Sequence, residues 1–448
     1  MTDPAPTLVV GLAVTGQAVL QALVRRGEPV VAVDDRPNDQ TRAFVADAGV
    51  DLVVAPETDR LRDLVAGAAA VVPTPGLPAR HPLFELARQA GVPVLSEFDL
   101  AARWDQRPLL AVTGTDGKTT VTTLTCAMLE QSGLTAGAVG NTSLPLVAAI
   151  DDPTIDVFVV EASSFRLEHS RHFAPAVGTW LNFAPDHLDS HGSLEEYEQA
   201  KARIWRDQTP DQVAVGNADD PVVAGYLARA PGRQVRFGST ITAGFRPVDG
   251  QLVTDADQTI CGIDELPRSY PHDVLNTLAA AATALYGGAK LEGVRAAALA
   301  FEGLPHRVTL VGEAGGVGYV DDSKATTPHA VVTAVAGFDS VVLICGGRNK
   351  GLDLGVLASV ADRLRAVIAI GEAADEVVAA FARSTKAPVP VQVAGSMDDA
   401  VARASAAAHP GDTVLLSPGC ASFDWYSSYA ERGDDFTRAV RARLEAAG

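Results

Sequence analysis

The chain has 448 residues, 47% of them hydrophobic and 20% charged, with a formal net charge of −19 at pH 7. That length allows several domains with large cores, and the balance is that of a globular enzyme rather than a disordered chain. The acidity excludes a broad nucleic-acid footprint and no run has the length and apolarity of a membrane span, so small molecules are the expected partners, with no nucleic acid and no membrane insertion.

The four cysteines, Cys126, Cys261, Cys345 and Cys420, are widely spread and form no C-x-x-C. They predict reduced thiols in a cytoplasmic protein rather than a disulfide framework or a zinc site. The opening MTDPAPTLVVGL lacks the basic start and long apolar core of a signal peptide.

Thr7 to Gly11 reads as a strand running into the turn Gly11-Leu-Ala-Val-Thr-Gly16. A helical stretch follows, and Pro29 to Val33 reads as a second strand ending in Asp34-Asp35-Arg36. In such a βαβ opening, acidic residues after the second strand often contact a ribose or base, although the full G-x-G-x-x-G is absent here. Further strands are predicted at 51–54, 70–72 and 92–95. Thr74-Pro75-Gly76 stands at the end of one of them, where α/β folds bind ligands. The polar, proline-marked Asp105-Gln106-Arg107-Pro108 closes the first domain.

The chain is organised around LLAVTGTDGKTTVTT, residues 109–123. An apolar strand, the tight turn Thr113-Gly114-Thr115-Asp116-Gly117 and a helix opening on Lys118-Thr119-Thr120 make a phosphate cradle. The free N–H groups and the positive end of the helix dipole face the anion, and glycine lets the backbone approach it. Lys118 reaches the β/γ-phosphates and the Thr119 hydroxyl ligates Mg²⁺. The loop is a G-x-x-G-K-T, shorter than the usual P-loop, which needs Gly where Val112 stands. An ordinary strand-to-helix turn is the alternative.

The apolar run 156–161 ends on Glu161, and a strand-end acid beside a P-loop is how nucleotide enzymes hold Mg²⁺. The stretch 179–189 brings Asp186 and His187 together as candidate metal ligands, with His191 nearby. Residues 193–204 predict a helix with Ser193 as N-cap and Glu196 at the capping-box position. Lys201, among Ala200, Ala202 and Ile204, reads as buried or half-buried on that helix.

Residues 232–270 read as irregular β structure, and His272 starts an alanine-rich helix carrying Asn276. A third unit begins near Leu304-Pro305-His306-Arg307. Its strands, predicted at 317–320, 340–345, 366–370 and 413–416, alternate with helices, so a doubly wound sheet is expected. Two strand ends are chemically loaded, Asp321-Asp322-Ser323-Lys324-Ala325-Thr326 and Gly346-Gly347-Arg348-Asn349-Lys350.

On these residues the chain resembles the Mur ligase family of ATP-dependent amide-forming ligases over essentially its whole length. The resemblance rests on TGTDGKTT (113–120), GN (140–141), EASSF (161–165), APDHLD (184–189) and AKARI (200–204). It continues through HDVLN (272–276), PHR (305–307), DDSKAT (321–326), GGRNKG (346–351) and SPGCASFD (417–424). Each motif is weak alone, and together, in the family's order, they are specific. The last two and the AKARI lysine favour the branch that adds D-glutamate. The Asp-Asn-Pro-Arg signature of the diaminopimelate-adding branch does not occur.

The resemblance implies an α/β fold of three domains. They are a Rossmann-like UDP-binding domain at 1–106, a central P-loop ATPase domain with a mostly parallel sheet at 107–304, and a Rossmann-like amino-acid-binding domain at 305–448. It assigns Thr15, Asp34, Arg36, Thr74 and Gly76 to the uridine diphosphate, and Asn141 to the muramoyl-alanine part. Gly114, Thr115, Asp116, Gly117, Lys118, Thr119 and Thr120 hold the ATP phosphates, with Asn276, Arg307 and Asp322 at the adenine and ribose. Two Mg²⁺ ions are implied, the first on Thr119 and Glu161, the second on His187 and Lys201. Lys201 serves there as a CO₂-derived carbamate, since an ammonium cannot ligate a cation. Lys324, Thr326, Lys350 and Ser422 grip the incoming glutamate, with Tyr429 near its side chain. Lys118, Glu161, His187, Lys201 and Lys324 form the catalytic set.

The implied activity is addition of D-glutamate to UDP-N-acetylmuramoyl-L-alanine through an acyl phosphate, by a cytoplasmic monomer serving peptidoglycan precursor synthesis. The chain departs from the family pattern at Asp116, Asp273, Thr142-Ser143 and Thr327, none of which the chemistry requires. Two other classes compete. A GTPase switch could use Asn349-Lys350 as a base-reading motif, but its acid, Asp353, falls one residue late. A nucleotide sensor without turnover would be expected to lack Lys118, Glu161 or Lys324, and all three are present.

Overall fold

The computed structural model describes residues 4–78, 80–187, 190–242, 244–383 and 388–447. The chain divides into two compact units. One comprises Met1–Phe183, Ser190–Leu266 and Leu275–Ala300; the other comprises Ala184–Asp189, Pro267–Val274 and Phe301–Gly448. The fold is α/β, with parallel sheets flanked by helices.

The first unit opens with β1 (Thr7–Val10), β2 (Val30–Asp34), β3 (Asp51–Val54) and β4 (Ala70–Pro73), all parallel in the order β3-β2-β1-β4. The run TLVV is buried throughout, as expected of a strand covered by helices on both faces. The segment predicted as a strand at 92–95 contributes only a single bridge, Val94 with Val71. Pro93 carries no N–H to extend the ladder.

Six strands follow: β5 (Leu109–Thr113), β6 (Ala136–Gly140), β7 (Val157–Glu161), β8 (Val177–Trp180), β9 (Val213–Asn217) and β10 (Arg233–Phe237). They form a parallel sheet in the order β10-β9-β8-β5-β7-β6. The chain leaves β5 toward one edge, returns in β7, and continues on the other side in β8. That reversal makes β5 the switch point, where ligands of such sheets bind at the carboxyl ends of the strands. The expected β structure of 232–270 resolves into β10 and a small antiparallel sheet of β11 (Arg246–Val248), β12 (Gln251–Val253) and β13 (Thr259–Gly262).

One buried cluster runs from Val9 and Leu23 beneath the first sheet to Phe158, Trp180 and Trp205 beneath the second. The helix Glu97–Trp104 ties the two together. Ser96 and Asp99 form a reciprocal capping box, and Asp99 also accepts the Arg171 and His172 N–H groups at 2.9 and 2.8 Å. Phe98 stacks on Phe173 at 4.7 Å.

The second unit holds β14 (Thr309–Ala314), β15 (Val317–Asp321), β16 (Val341–Gly346), β17 (Leu364–Ile370), β18 (Val391–Val393) and β19 (Thr413–Gly419). Their order is β14-β15-β19-β16-β17-β18, with β14 antiparallel and the rest parallel. The loops after β15, β19 and β16, which carry the loaded motifs, therefore leave three adjacent strands. Among the described residues all four cysteines are free and buried, and no helix is long and apolar enough to cross a membrane.

Candidate active site

In the first unit the loop after β5 turns into the helix Lys118–Glu130, capped by Gly117 at φ +83°. A side chain at Gly117 would displace Asn276: its Cβ would stand 2.8 Å from Asn276 Oδ1. The loop is gripped from β8. Asn182 Oδ1 accepts the N–H of Thr115 at 3.0 Å and of Asp116 at 2.9 Å, while its Nδ2 donates to the Asp116 carbonyl at 3.1 Å. The Lys118 ammonium folds back onto the carbonyls of Gly114 (2.8 Å) and Thr115 (2.9 Å).

Glu161 ends β7 directly opposite Val112 of β5. It is 3% exposed; its Oε1 accepts from Asn141 Nδ2 at 3.0 Å, and its Oε2 is buried with no hydrogen-bond partner among the described residues. A buried carboxylate oxygen left without a partner needs an explanation, and a hard cation supplies one. Thr119 sits in the first turn of the neighbouring helix, half-buried, with Thr120 buried behind it. One carboxylate, one hydroxyl and phosphate oxygens suit Mg²⁺, which takes few protein ligands.

Lys201 is 1% exposed, as its sequence neighbours implied. It lies on the helix Leu194–Arg206, whose N-cap Ser193 accepts the Glu196 N–H at 3.1 Å. Its Nζ donates to the Gly114 carbonyl at 2.7 Å and lies 4.5 Å from the Tyr197 ring centroid. The lysine thus reaches the loop that precedes the helix Lys118–Glu130, a placement that the linear sequence does not reveal.

The uridine-diphosphate candidates gather at the carboxyl edge of the first sheet. Gly11, at φ +85°, lies so close to Thr74 that a Cβ there would stand 2.4 Å from the Thr74 methyl. Thr15, buried in the first turn of the helix Val14–Arg25, accepts from Arg166 Nη2 at 3.0 Å. Asp34 spends both oxygens on backbone, taking the Leu12 N–H at 2.7 Å and the Arg36 N–H at 2.8 Å. It shapes the turns around the site. Arg36 and Gly76 lie on the same edge, with open space around Gly76.

In the second unit, His187 takes a left-handed backbone conformation, φ +55°. Its Nε2 is 3.2 Å from Asp186 Oδ2, and Lys350 Nζ is 3.1 Å from Asp186 Oδ1. Asp186 is 5% exposed, so one nearly buried carboxylate holds two candidate residues. Asp189, the last residue of that motif, lies outside the described residues. The loops after β16 and β19 are pinned by paired backbone bonds between Arg348 and Ala421, 2.9 and 3.0 Å, which brings the Lys350 loop beside buried Ser422. The Lys324 ammonium stands 3.8 Å from the Tyr429 ring centroid, a cation–π contact. Thr326 is half-buried two residues further on. Asp322 is buried beside Ser417, whose hydroxyl donates to it at 2.8 Å. Burial pushes its carboxyl up to about 8, partly opposed by that hydroxyl and by the Arg307 guanidinium.

Sequence reasoning missed Asn182, Asp186 as the partner of Lys350, and Arg166. None of the three carried a signal in the linear pattern: the place of Asn182 beside the switch-point strand follows only from the sheet order.

Three family models match successive stretches of the chain: the Mur ligase MurD-like N-terminal domain at 5–96, the Mur ligase middle domain at 112–284, and the Mur ligase glutamate ligase domain at 306–420. The chain is 46% identical to a UDP-N-acetylmuramoylalanine–D-glutamate ligase of Frankia casuarinae, over 98% of this chain and 94% of that protein. It is 40% identical to the enzyme of that name from Desulfosudis oleivorans, over 99% and 98%. The fold is that of a pseudomurein peptide ligase type C from Methanothermus fervidus, with a TM-score of 0.60, 18% identity, and coverage of 98% and 100%. It is likewise that of MurF from Acinetobacter baumannii, with a TM-score of 0.60, 17% identity, and coverage of 97% and 91%. Matches spread over the three stretches, and a relative this similar across nearly the full length, make the chain a member of the Mur ligase family of ATP-dependent ligases.

Proposed function

We propose that the chain joins D-glutamate to UDP-N-acetylmuramoyl-L-alanine at the expense of ATP, in the cytoplasmic synthesis of peptidoglycan precursors. The observation that carries this reading is the pair of neighbouring strand ends β5 and β7. One opens into the Lys118 loop, and the other ends on Glu161, whose buried Oε2 has no hydrogen-bond partner among the described residues. Within the reading, residues 1–106 bind the uridine nucleotide, 107–304 bind ATP, and 305–448 bind the amino acid.

A carboxylate does not acylate an amine at neutral pH because its leaving group is poor. Transfer of the γ-phosphoryl of ATP to the alanine carboxylate leaves ADP and an acyl phosphate. The amine of D-glutamate then attacks that carbonyl, the C–O bond to phosphate breaks, and inorganic phosphate leaves with the amide formed. Lys118 exchanges its two loop carbonyls for phosphate oxygens and stabilises the charge that builds on the transferring group. Asn141 orients Glu161 and contacts the muramoyl-alanine part. Asn276 of the first unit, and Arg307 and Asp322 of the second, are each proposed to contact the nucleoside. Thr326, Lys350 and Ser422 hold the carboxylates of the incoming glutamate, and Lys324, positioned by Tyr429, lies with them.

Thr119 and Glu161 are the proposed ligands of one Mg²⁺, which when bound neutralises the triphosphate. Lys201, as its carbamate, and His187 are each proposed as further Mg²⁺ ligands; a carbamate offers the oxygen donors that Mg²⁺ prefers. The test is phosphate release from ATP with UDP-N-acetylmuramoyl-L-alanine and a panel of D- and L-amino acids. Release that depends on D-glutamate is expected. Release with another amino acid but not with D-glutamate would reassign the substrate, and release without any amino acid would make the chain a nucleotidase.

A further inference from the structure

A buried ion pair in the first unit, between Arg166 and Glu97, has no role in the function proposed above, and three loops of the proposed UDP-substrate site meet on it. Arg166 Nη1 is 2.5 Å from Glu97 Oε1, and the two residues are 7% and 3% exposed. Arg166 belongs to the short helix Ser164–Glu168, five residues after Glu161. Its second terminal nitrogen, Nη2, donates to Thr15 Oγ1 in the first turn of the helix Val14–Arg25. The other oxygen of Glu97, Oε2, accepts the Val147 N–H at 2.9 Å. Val147 lies in the short helix Leu146–Ala149 that follows the loop beginning at Gly140-Asn141. That loop is tied back to β7 by the Asn141 N–H on the Glu161 carbonyl at 2.8 Å. The guanidinium also lies 6.0 Å from the centroid of the Phe98 ring.

Each partner thus uses two atoms in two directions. The pair joins the turn carrying Thr15, the loop carrying Asn141, and the segment leaving Glu161. Stability alone accounts poorly for such a feature. Buried ion pairs are often replaceable by apolar residues without loss, and Arg166 Nε is buried here with no hydrogen-bond partner among the described residues. A planar fork that bonds two groups at fixed angles is, however, suited to fixing the relative positions of loops.

We propose that the Glu97–Arg166 pair is a positioning device for the UDP-bearing substrate. It holds the diphosphate turn at Thr15 in register with the Asn141 loop, so that one substrate molecule can engage both ends of the site. The proposal rests on the reading of this site given above.

The test is the double variant Glu97→Leu with Arg166→Met, which removes both charges together and keeps similar volume. The expected result is an unchanged or raised melting midpoint. The KM for UDP-N-acetylmuramoyl-L-alanine should rise about tenfold or more, the scale of one or two lost positioning bonds. The KM for ATP and for D-glutamate should stay within about twofold. A folded double variant with unchanged KM for the UDP substrate overturns the proposal, as does an equal rise in all three constants. Arg166→Lys is the companion variant. It keeps the charge on Glu97 buried and paired, but a single ammonium cannot reproduce the fork to Thr15. It should therefore fold and show the same selective rise even if the double variant does not fold, and a normal constant there again overturns the proposal. Wild-type protein that binds no UDP-bearing substrate by calorimetry removes the underlying reading and this inference with it. Wild-type binding matched by equal binding in the variants removes the inference alone.

Discussion

Gly117→Ala isolates how the phosphate loop is built. Gly117 caps the helix Lys118–Glu130 at φ +83°, where an alanine is disfavoured by about 1–2 kcal/mol. Its Cβ would also stand 2.8 Å from Asn276 Oδ1 and 3.3 Å from Leu181 Cδ1. The amide of Asn276 can move, so the crowding appears mainly as displacement of Asn276 and of the loop. Gly133 is the control. Its φ of +90° carries the same backbone cost, but nothing lies within 4 Å of its would-be Cβ. Urea denaturation and steady-state kinetics are run on both variants. Gly133→Ala should lose about 1–2 kcal/mol and keep the KM for ATP. Gly117→Ala should lose at least as much and raise the KM for ATP about tenfold, since two elements proposed to contact the nucleotide shift together. Equal KM values for ATP in the two variants would refute the argument that Gly117 and Asn276 pack as one nucleotide surface.

Lys201→Ala should nearly abolish turnover, with partial recovery on adding acetate, whereas Lys201→Arg should stay inactive although charge is kept; an active Lys201→Arg enzyme would leave Lys201 as a structural residue. Lys350→Ala should raise the KM for D-glutamate by on the order of 2 kcal/mol of binding while leaving that for ATP in place, and movement of the ATP constant instead would reassign the loop after β16. Asp322 makes stability depend on pH. Its carboxyl, held near 8 by burial, keeps a proton that the unfolded chain loses near about 3.9, so the folded state binds more protons and stability falls as pH rises from about 4 to about 8. The melting midpoint of Asp322→Asn should therefore gain on that of the wild type between pH 5.5 and pH 8, and parallel curves would show that Asp322 is ionised in the fold.

Much of this protein is written locally. The strand, turn and helix start around Lys118 form because an apolar run, two glycines and a helix-forming stretch are contiguous, and no distant residue is needed to specify them. The same holds for β1, β2, β7 and β16, whose apolar runs are long enough to read alone. Ser193 as an N-cap and the burial of Lys201 also follow from near neighbours. The sequence by itself therefore determined the α/β class, the ordered motifs and the chemical candidates.

Other features were decided only in three dimensions. Strands β6 (AGAVG), β8 (VGTW) and β9 (VAVGN) are short and carry glycine, so their local preference is weak, and they form because the neighbouring strands supply their hydrogen bonds. The stretch at 92–95 has the composition of a strand but no ladder, because Pro93 cannot donate. The order β10-β9-β8-β5-β7-β6, which puts Glu161 beside the Lys118 loop, pairs strands far apart in the chain. Lys350 on Asp186, Asn182 on the phosphate loop and Arg166 between Glu97 and Thr15 join residues separated by 164, 66 and 151 positions. Nothing in a one-dimensional pattern marks such partners. They are selected when burial strips water from a charge or an amide and leaves it to find a protein atom of the right polarity within reach.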